Sequence, residues 1–344
     1  MALGTNHSTT TTAANFIPEM WSDEVIANYK AQLVVANLVT KTSFKGKKGD
    51  TLHLPVPARG SASAKATSTQ VTLIADTAGV VDVLINKHFE YSKLYEDIAE
   101  MQALNSMRRF YTDDAGYALA KRVDQDLMLL GAGFQSGSIA GATNLYETAV
   151  IGGDGSTAFS GAANGNGSAM TDAGLRKMIQ KLEDQDINSA QLSLIIPPVE
   201  ANVLRGIARF TERAFVGDGE VIKTGRLGNL YGVEVFQTSN CPWIHVNSVT
   251  GTQSVTFTST APTGTAFEDE FGLTVNWTTS TPTDTKYRAG MLIHKDSMTH
   301  AEQQGIRTQS QYKQEYLGTL VTSDTVYGVK ELRDYAGLAF IVPA

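Results

Sequence analysis

The sequence has little of several features on which common protein functions depend. Its 344 residues include a single cysteine, Cys241, so no disulfide can form within the chain and no cluster of thiolates can bind a metal. No apolar run reaches the roughly 18 residues that are needed to cross a bilayer, and no membrane partner is expected. A basic surplus is also missing, because 28 Lys and Arg stand against 35 Asp and Glu, for a net charge of −7. This balance argues against a dedicated nucleic-acid-binding protein.

Motifs for catalysis and cofactor binding are missing as well. Gly131 and Gly133 resemble the start of a dinucleotide fingerprint, but Ser136 stands where a third glycine is needed. His245 follows Cys241 by four residues, and a Cys–His pair can activate a thiolate. The histidine of such a pair is usually remote in sequence, however, so a buried structural cysteine is favoured over a catalytic one. The Gly-x-Ser-x-Gly elbow of many hydrolases does not occur. We therefore expect no enzyme activity, no cofactor and no catalytic residue.

Histidines and acidic residues offer no metal site either. His294 and His300 are six residues apart, a spacing that places both on one side of a strand, and solvated histidines are expected there. Acidic pairs such as Asp184 and Asp186 lie in predicted turns and are expected to be solvated. No metal ligand is predicted.

The first 44 residues differ in character from the rest. The extreme N-terminus is rich in Thr, Ser and Ala and lacks the basic start and apolar core of a secretory signal. A helix is predicted to begin near Pro18, since proline suits the first turn. The apolar residues between positions 33 and 39 are too few for a core of their own, so this segment is expected to pack on another part of the molecule.

A basic segment follows, and it predicts a long, solvent-exposed hairpin. Residues 45 to 65 contain a single acid, Asp50, with Gly and Pro between alternating apolar and polar positions. The return arm is predicted at 69–77, where Val71, Leu73 and Ala75 alternate. Residues 80–85 are predicted to enter the core. The basic residues of this segment are Lys45, Lys47, Lys48, Arg59 and Lys65.

The strongest helical pattern lies between residues 104 and 130. Apolar residues such as Leu119, Val123 and Leu127 recur every three or four positions, and the resulting helix of about 40 Å would be a structural spine. Asp124 and Asp126 are predicted to lie on its polar side.

A compact α/β lobe is predicted beyond residue 170. Thr171 is expected to cap a helix whose apolar face includes Leu175 and Leu182. A buried strand at 192–196, a helix after Pro198 and a strand at 233–237 follow.

The remainder of the chain has strand character. Thr is frequent between residues 250 and 285, where alternation predicts a β insertion, and further strands are expected at 290–293, 316–321, 326–332 and 338–342. The sequence aliphatic-Tyr-Gly-Val occurs at Tyr231 and again at Tyr327, and both copies are predicted to be turns that enter a strand.

The order of these parts resembles that of tailed-bacteriophage major capsid proteins with the Hong Kong 97-like fold, an α+β fold. The resemblance covers most of the chain outside 135–170 and 240–288. The stretches that carry it are Phe16–Val25, Leu33–Val39, Gly49–Pro55, Tyr111–Leu130, Gly225–Val233 and Tyr327–Leu332.

The resemblance implies five parts. They are an N-terminal arm (1–44), an extended loop (45–77), a peripheral domain (78–170) with a spine helix at about 105–131, an axial domain (171–289) with a β insertion at about 240–288, and C-terminal strands (290–344) that complete both domains.

The resemblance also implies a structural function. Copies of the chain would form the hexamers and pentamers of an icosahedral head in the virion, assembled in the bacterial cytoplasm around double-stranded DNA bound without sequence specificity. Scaffolding and portal proteins are the other expected partners. An encapsulin-type nanocompartment shell and a Thr-rich surface or carbohydrate-binding protein are alternatives. The candidates for contact between subunits are Phe16, Trp21, Lys45, Lys47, Lys48, Arg59 and Lys65.

Overall fold

The structure is a computed structural model in which four helices and sixteen strands are described. The described residues are 34–43, 49–56, 62–71, 73, 79–97, 107–131, 151–157, 159, 167–207, 228–246, 255–258, 266–268, 274–276 and 285–344. The helices are α1 (Val35–Leu38), α2 (Met107–Gly131), α3 (Asp172–Glu183) and α4 (Pro198–Arg205). The strands are β1 (Thr40–Ser43), β2 (Thr51–Val56), β3 (Gly79–Leu84), β4 (Lys87–Glu96), β5 (Ile151–Gly152), β6 (Leu192–Ile196), β7 (Asn229–Leu230), β8 (Val233–Gln237), β9 (Trp243–Val246), β10 (Val255–Thr258), β11 (Ala266–Glu268), β12 (Thr274–Asn276), β13 (Thr285–His294), β14 (Met298–Lys313), β15 (Gly318–Glu331) and β16 (Gly337–Pro343).

A large sheet is organised around β13. This strand pairs antiparallel with β16 along one edge, while β6 and β9 share its other edge. Beyond β6 lie β8, which is parallel to it, and β7, and β10 lies beyond β9. Strand β5 pairs with β16.

The large sheet is covered by helices on both faces, which is why β6 reads as a continuous apolar run. On one face Leu194 and Phe340 pack against Leu175 and Leu182 of α3. This helix begins where predicted, because the Thr171 hydroxyl accepts a hydrogen bond of 3.0 Å from the backbone N–H of Gly174. On the opposite face, odd-numbered residues of the same strands pack against α2.

A second, four-stranded sheet has the order β1-β14-β15-β4. Strands β14 and β15 form a long antiparallel hairpin, and β1 runs parallel to β14. Helix α2 lies between the two sheets, since its Leu127 belongs to one core cluster with Ile195 of the large sheet and Tyr327 of the four-stranded sheet. The predicted spine helix is therefore confirmed, within two residues of its predicted start.

The placement of Asp124 and Asp126 on the polar side of α2 is wrong, because both side chains are buried. Asp126 Oδ2 accepts hydrogen-bonding contacts from the Tyr327 hydroxyl at 2.7 Å and from Lys87 Nζ at 2.9 Å. Asp124 accepts backbone N–H groups of the α1 turn. Each carboxylate is inside because it has partners there, which the spacing of apolar residues along a helix does not reveal.

One of the two Tyr-Gly sequences forms the predicted turn and the other does not. Tyr231 and Gly232 have φ values of 53° and 84° and join β7 to β8. Tyr327 and Gly328, in contrast, lie inside β15. Glycine is needed at position 328 because a Cβ there would overlap the carbonyl oxygen of Leu84.

Strand β14 was not predicted, although it is the longest strand that the structure describes, at 16 residues. Its sequence from Gln303 to Lys313 is mostly polar, and the side chains from Ile306 to Tyr312 are exposed. The first residues of β14, such as Met298 and Ala301, are buried, but the exposed stretch that follows has no alternation of apolar and polar residues to detect.

Candidate assembly surfaces

The β2–β3 hairpin presents an exposed face that contains apolar side chains. The register pairs Leu52 with Val83 on the inner face, where Val83 is fully buried. On the outer face, Val80 and Leu84 are 59% and 54% exposed. His53 and Asp82 lie between them, with 2.6 Å between Nδ1 and Oδ1. Large apolar side chains this exposed on one face of a sheet are typical of contact surfaces.

The return arm of this hairpin lies later in the chain than predicted. The strand that pairs with β2 is β3, at Gly79–Leu84, and residues 69–71 and 73 are not in a strand. The prediction that 80–85 enters the core holds for Val83 and Ile85 but is wrong for Val80 and Leu84. Valine-rich sequence alone does not say which side of a two-stranded ribbon faces the protein.

Of the predicted contact residues, the structure describes Lys65. It is exposed, as are all residues from 62 to 71. The other predicted contact residues lie outside the described residues, namely Phe16, Trp21, Lys45, Lys47, Lys48 and Arg59.

The base of the hairpin is fixed to the four-stranded sheet. The backbone of Leu84 approaches Gly328 so closely that no side chain would fit between them. Ile85 donates its N–H to the carbonyl of Asp50 at 2.7 Å, and the Gln303 amide donates to the carbonyl of Gly49 at 3.1 Å. The outer face is therefore held in a defined position relative to β14 and β15.

A second exposed apolar group lies at the turn between β14 and β15. Tyr316 and Leu317 are 62% and 65% exposed, and Leu317 has a φ of 44°, in the left-handed region. The turn is nevertheless tied down, because Asp97 donates its N–H to the Leu317 carbonyl at 2.9 Å and accepts from the Tyr312 hydroxyl at 2.7 Å. Sequence analysis placed both residues at the start of a strand at 316–321, but β15 begins at Gly318 and the two residues form the turn before it.

The same sheet carries an ionic cluster where β14 shifts register against β15. Asp324 accepts two hydrogen bonds from the Arg307 guanidinium, at 2.7 and 3.0 Å, and one from the Gln304 amide at 3.1 Å. The His88 Nε2 lies 3.3 Å away. Hydrogen bonds from Arg307 are the main cause that lowers the pKa of Asp324 below its ordinary value. The cluster stabilises the part of the β14–β15 hairpin where the register shifts.

The groups weighed from the sequence as catalytic or metal-binding candidates include Cys241, His294 and His300. Cys241 is buried, as predicted, and burial raises the pKa of its thiol to about 12. His294 and His300 lie on different strands, and burial lowers the pKa of His300, so the prediction of solvated histidines on one strand is wrong. No group of three or more metal-binding side chains occurs among the described residues. Within the same part of the chain, no helix is long and apolar enough to cross a membrane.

The arrangement of a spine helix between a helix-covered sheet and a long-stranded sheet, with a hairpin fixed at its base, is the Hong Kong 97-like fold of phage capsid proteins. A chain from Mycobacterium phage Che8 is similar at 20% identity, over 95% of this chain and 97% of that chain, with a TM-score of 0.66. The capsid of cyanophage P-SCSP1u matches at 16% identity, over 99% and 96% of the two chains, with a TM-score of 0.66. The mature capsid of bacteriophage PhiM1 matches at 11% identity, over 99% and 97%, also with a TM-score of 0.66.

No protein-family model and no curated protein matches the sequence. At 20% identity or less, the structural similarities establish the fold, and the predicted α+β class and Hong Kong 97-like fold are confirmed.

Proposed function

We propose that this protein is a major capsid protein, which forms the hexamers and pentamers of an icosahedral phage head. The observation that carries the proposal is a fold shared over 95% or more of the chain with solved phage structures, two of which are described as capsids. The role is structural rather than enzymatic, and the protein would reside in the virion after assembly in the host cytoplasm.

The exposed surfaces of the chain support this role. Val80 and Leu84 on the hairpin, and Tyr316 and Leu317 at the β14–β15 turn, leave apolar area in water that one subunit does not cover. Burial of such area stabilises an assembly by about 25 cal/mol per Å². A second copy of the chain is the partner expected in a shell, where each subunit offers the same surfaces to its neighbours.

The domain assignments and further partners form part of the same proposal. The four-stranded sheet with α2 corresponds to the peripheral domain, the large sheet with α3 and α4 to the axial domain, and residues 45–77 to the extended loop. The enclosed partner would be double-stranded DNA, and a net charge of −7 suits a container that holds it without tight binding. Scaffolding and portal proteins would take part in assembly, and the basic residues of the loop would contact acidic surface on a neighbour.

Assembly of the purified chain tests the proposal directly. Size-exclusion chromatography and negative-stain microscopy are expected to show capsomers or closed shells. Nuclease-protected DNA in particles from infected cells would distinguish a virion from a compartment that encloses protein. A chain that stays a folded monomer under all assembly conditions, with or without a scaffold, would overturn the proposal.

The hairpin can be tested separately within that assay. The double variant Val80→Ser/Leu84→Ser is expected to keep the thermal midpoint of the subunit while losing particles, because both side chains are exposed in the single chain. The matched control Val80→Ile/Leu84→Met keeps the face apolar and should assemble. Normal particles from the serine variant would show that this face is not a contact surface.

A further inference from the structure

Helix α1 has no cap of its own. Its N-cap residue is Val34, which has no side chain that could accept a hydrogen bond. The N–H groups at the start of this turn are instead taken by Asp124, which lies in the middle of α2. Asp124 Oδ1 accepts from Val34, Val35 and Ala36 at 3.2, 2.8 and 3.4 Å. A cap supplied from about 90 residues further along the chain fixes the position of residues 34–36 on α2.

The second oxygen of the same carboxylate binds a different part of the molecule. Asp124 Oδ2 accepts from the side-chain amide of Asn240 at 3.1 Å. Asn240 is buried in the turn between β8 and β9, where its own N–H is bound to the Thr238 hydroxyl at 3.2 Å. One carboxylate therefore receives donors from two segments that are far apart in sequence.

The surroundings make these donors necessary. Asp124 is fully buried beside a core cluster that includes Val35, Val123 and Leu127. Burial raises the pKa of Asp124, and the hydrogen bonds from Asn240 and from the α1 turn oppose that rise. A buried carboxylate that loses a donor becomes less stable in place, so the departure of one segment weakens the hold on the other.

We propose that Asp124 is a latch, in the sense of one carboxylate whose two oxygens couple the docking of the α1 turn to the position of the β8–β9 turn. A partner that displaces residues 34–36 would then loosen the β8–β9 turn at Asn240, and a movement at Asn240 would release residues 34–36. Such coupling is reciprocal, because it is a free energy shared by both contacts. It is a property of the single subunit and stands whether or not the chain forms shells.

Hydrogen exchange of the full-length, unassembled chain tests the latch. Asn240→Ala removes a donor that binds Asp124 and makes no hydrogen bond to α1, yet the amides of residues 34–36 are expected to exchange about tenfold faster, a 1.4 kcal/mol change in local opening. Asp124→Ala should raise exchange at both turns. The matched control is Asn188→Ala, which removes an exposed side-chain acceptor for the Ala190 N–H in the short turn before β6 and should leave exchange at residues 34–36 unchanged.

Two results would overturn the proposal. In the first, Asn240→Ala leaves exchange at residues 34–36 within twofold of wild type while Asp124→Ala raises it, which would make Asp124 a local cap without coupling. In the second, neither variant changes exchange there. If Asp124→Ala does not fold, Asp124→Asn keeps the shape and one acceptor oxygen, and the Asn240→Ala result decides the question on its own.

Discussion

The two sheets of this molecule differ in how far their strands are buried. The large sheet is covered by helices on both faces, and its strands β6, β13 and β16 supply much of the buried core. In the four-stranded sheet, the second half of β14 and the turn that follows it, residues 306–317, are exposed except for the half-buried Lys313. Ten of the twelve exposed large apolar residues among the described part of the chain lie on that sheet, on the β2–β3 hairpin or on the loop that follows β2. One region therefore carries the stability of the subunit, and the other carries surface that another molecule can cover.

The largest expected effect is the difference in unfolding free energy between two leucine substitutions, one in each region. Leu194→Ala should lower the free energy of unfolding by about 2–5 kcal/mol, because the side chain is fully buried in the large sheet. Leu317→Ala should change it by less than about 0.5 kcal/mol, since Leu317 is exposed. Urea denaturation of unassembled protein measures both values. Equal losses would remove the distinction between a stabilising region and a contact region.

A smaller effect is expected where the hairpin meets the four-stranded sheet. Gly328→Ala places a Cβ against the Leu84 backbone, 3.0 Å from its carbonyl carbon, and should cost about 1–3 kcal/mol of unfolding free energy. The matched control is Gly116→Ala in α2, where the new Cβ meets nothing within 4 Å and helix propensity should raise stability by about 0.5–1 kcal/mol. Thermal or urea unfolding reports both signs. A stabilising Gly328→Ala would mean that the base of the hairpin is not held against β15.

The smallest effects depend on pH and have opposite signs in the two regions. Glu200, on the α4 side of the large sheet, is buried, and its Oε2 accepts a hydrogen bond of 2.9 Å from the Met170 N–H. Among the described residues, its Oε1 has no hydrogen-bond partner. Burial raises its pKa, so its contribution to stability is present at low pH and is lost as the pH rises through the folded-state value. Glu200→Gln should therefore gain stability over wild type at pH 8–9 and match it near pH 4.

Asp324 should behave in the reverse manner. Its lowered pKa means that its contribution is present above the unfolded-state value and is lost as the pH falls through the folded-state value. Asp324→Asn should lower the thermal midpoint at pH 7 and have less effect as the solution becomes acidic. Thermal melts from pH 3 to pH 9 measure both variants. Parallel pH profiles would contradict the assignment of one acid as poorly partnered and the other as well partnered.

Sequence patterns predicted the covered parts of this fold well. The extent of α2, the Thr171 cap of α3 and the buried strand β6 are each confirmed. The single apolar face predicted for α2 is not, since every residue from 123 to 128 is buried. The order of these elements was also enough for the fold to be inferred by resemblance.

Sequence patterns gave wrong or missing predictions where hydrogen-bond partners, rather than the spacing of apolar residues, decide whether a side chain is buried. Asp124 and Asp126 are inside because of donors that come from remote segments. Strand β14 has an exposed distal half and so leaves no alternation, and the exposed Tyr316 and Leu317 stand alone in a polar stretch. The spacing of apolar residues in a sequence predicts the core of its own chain, but it does not predict which exposed residues another molecule would cover.

The parallel pairing of β1 with β14 sets the order in which the molecule can be made. The Thr299 hydroxyl binds the Thr40 carbonyl across 259 residues of sequence, and the central strand of the large sheet begins only at Thr285. At synthesis rates of about 5–20 residues per second, β1 waits roughly 10 to 50 seconds for its partner. Neither sheet is complete before its last strand has been synthesised, which is β15, ending at Glu331, in the four-stranded sheet and β16, ending at Pro343, in the large sheet. Long-range pairing thus makes the exposed face of the β2–β3 hairpin and the β14–β15 turn late products of folding, because both are fixed by strands from the last third of the sequence.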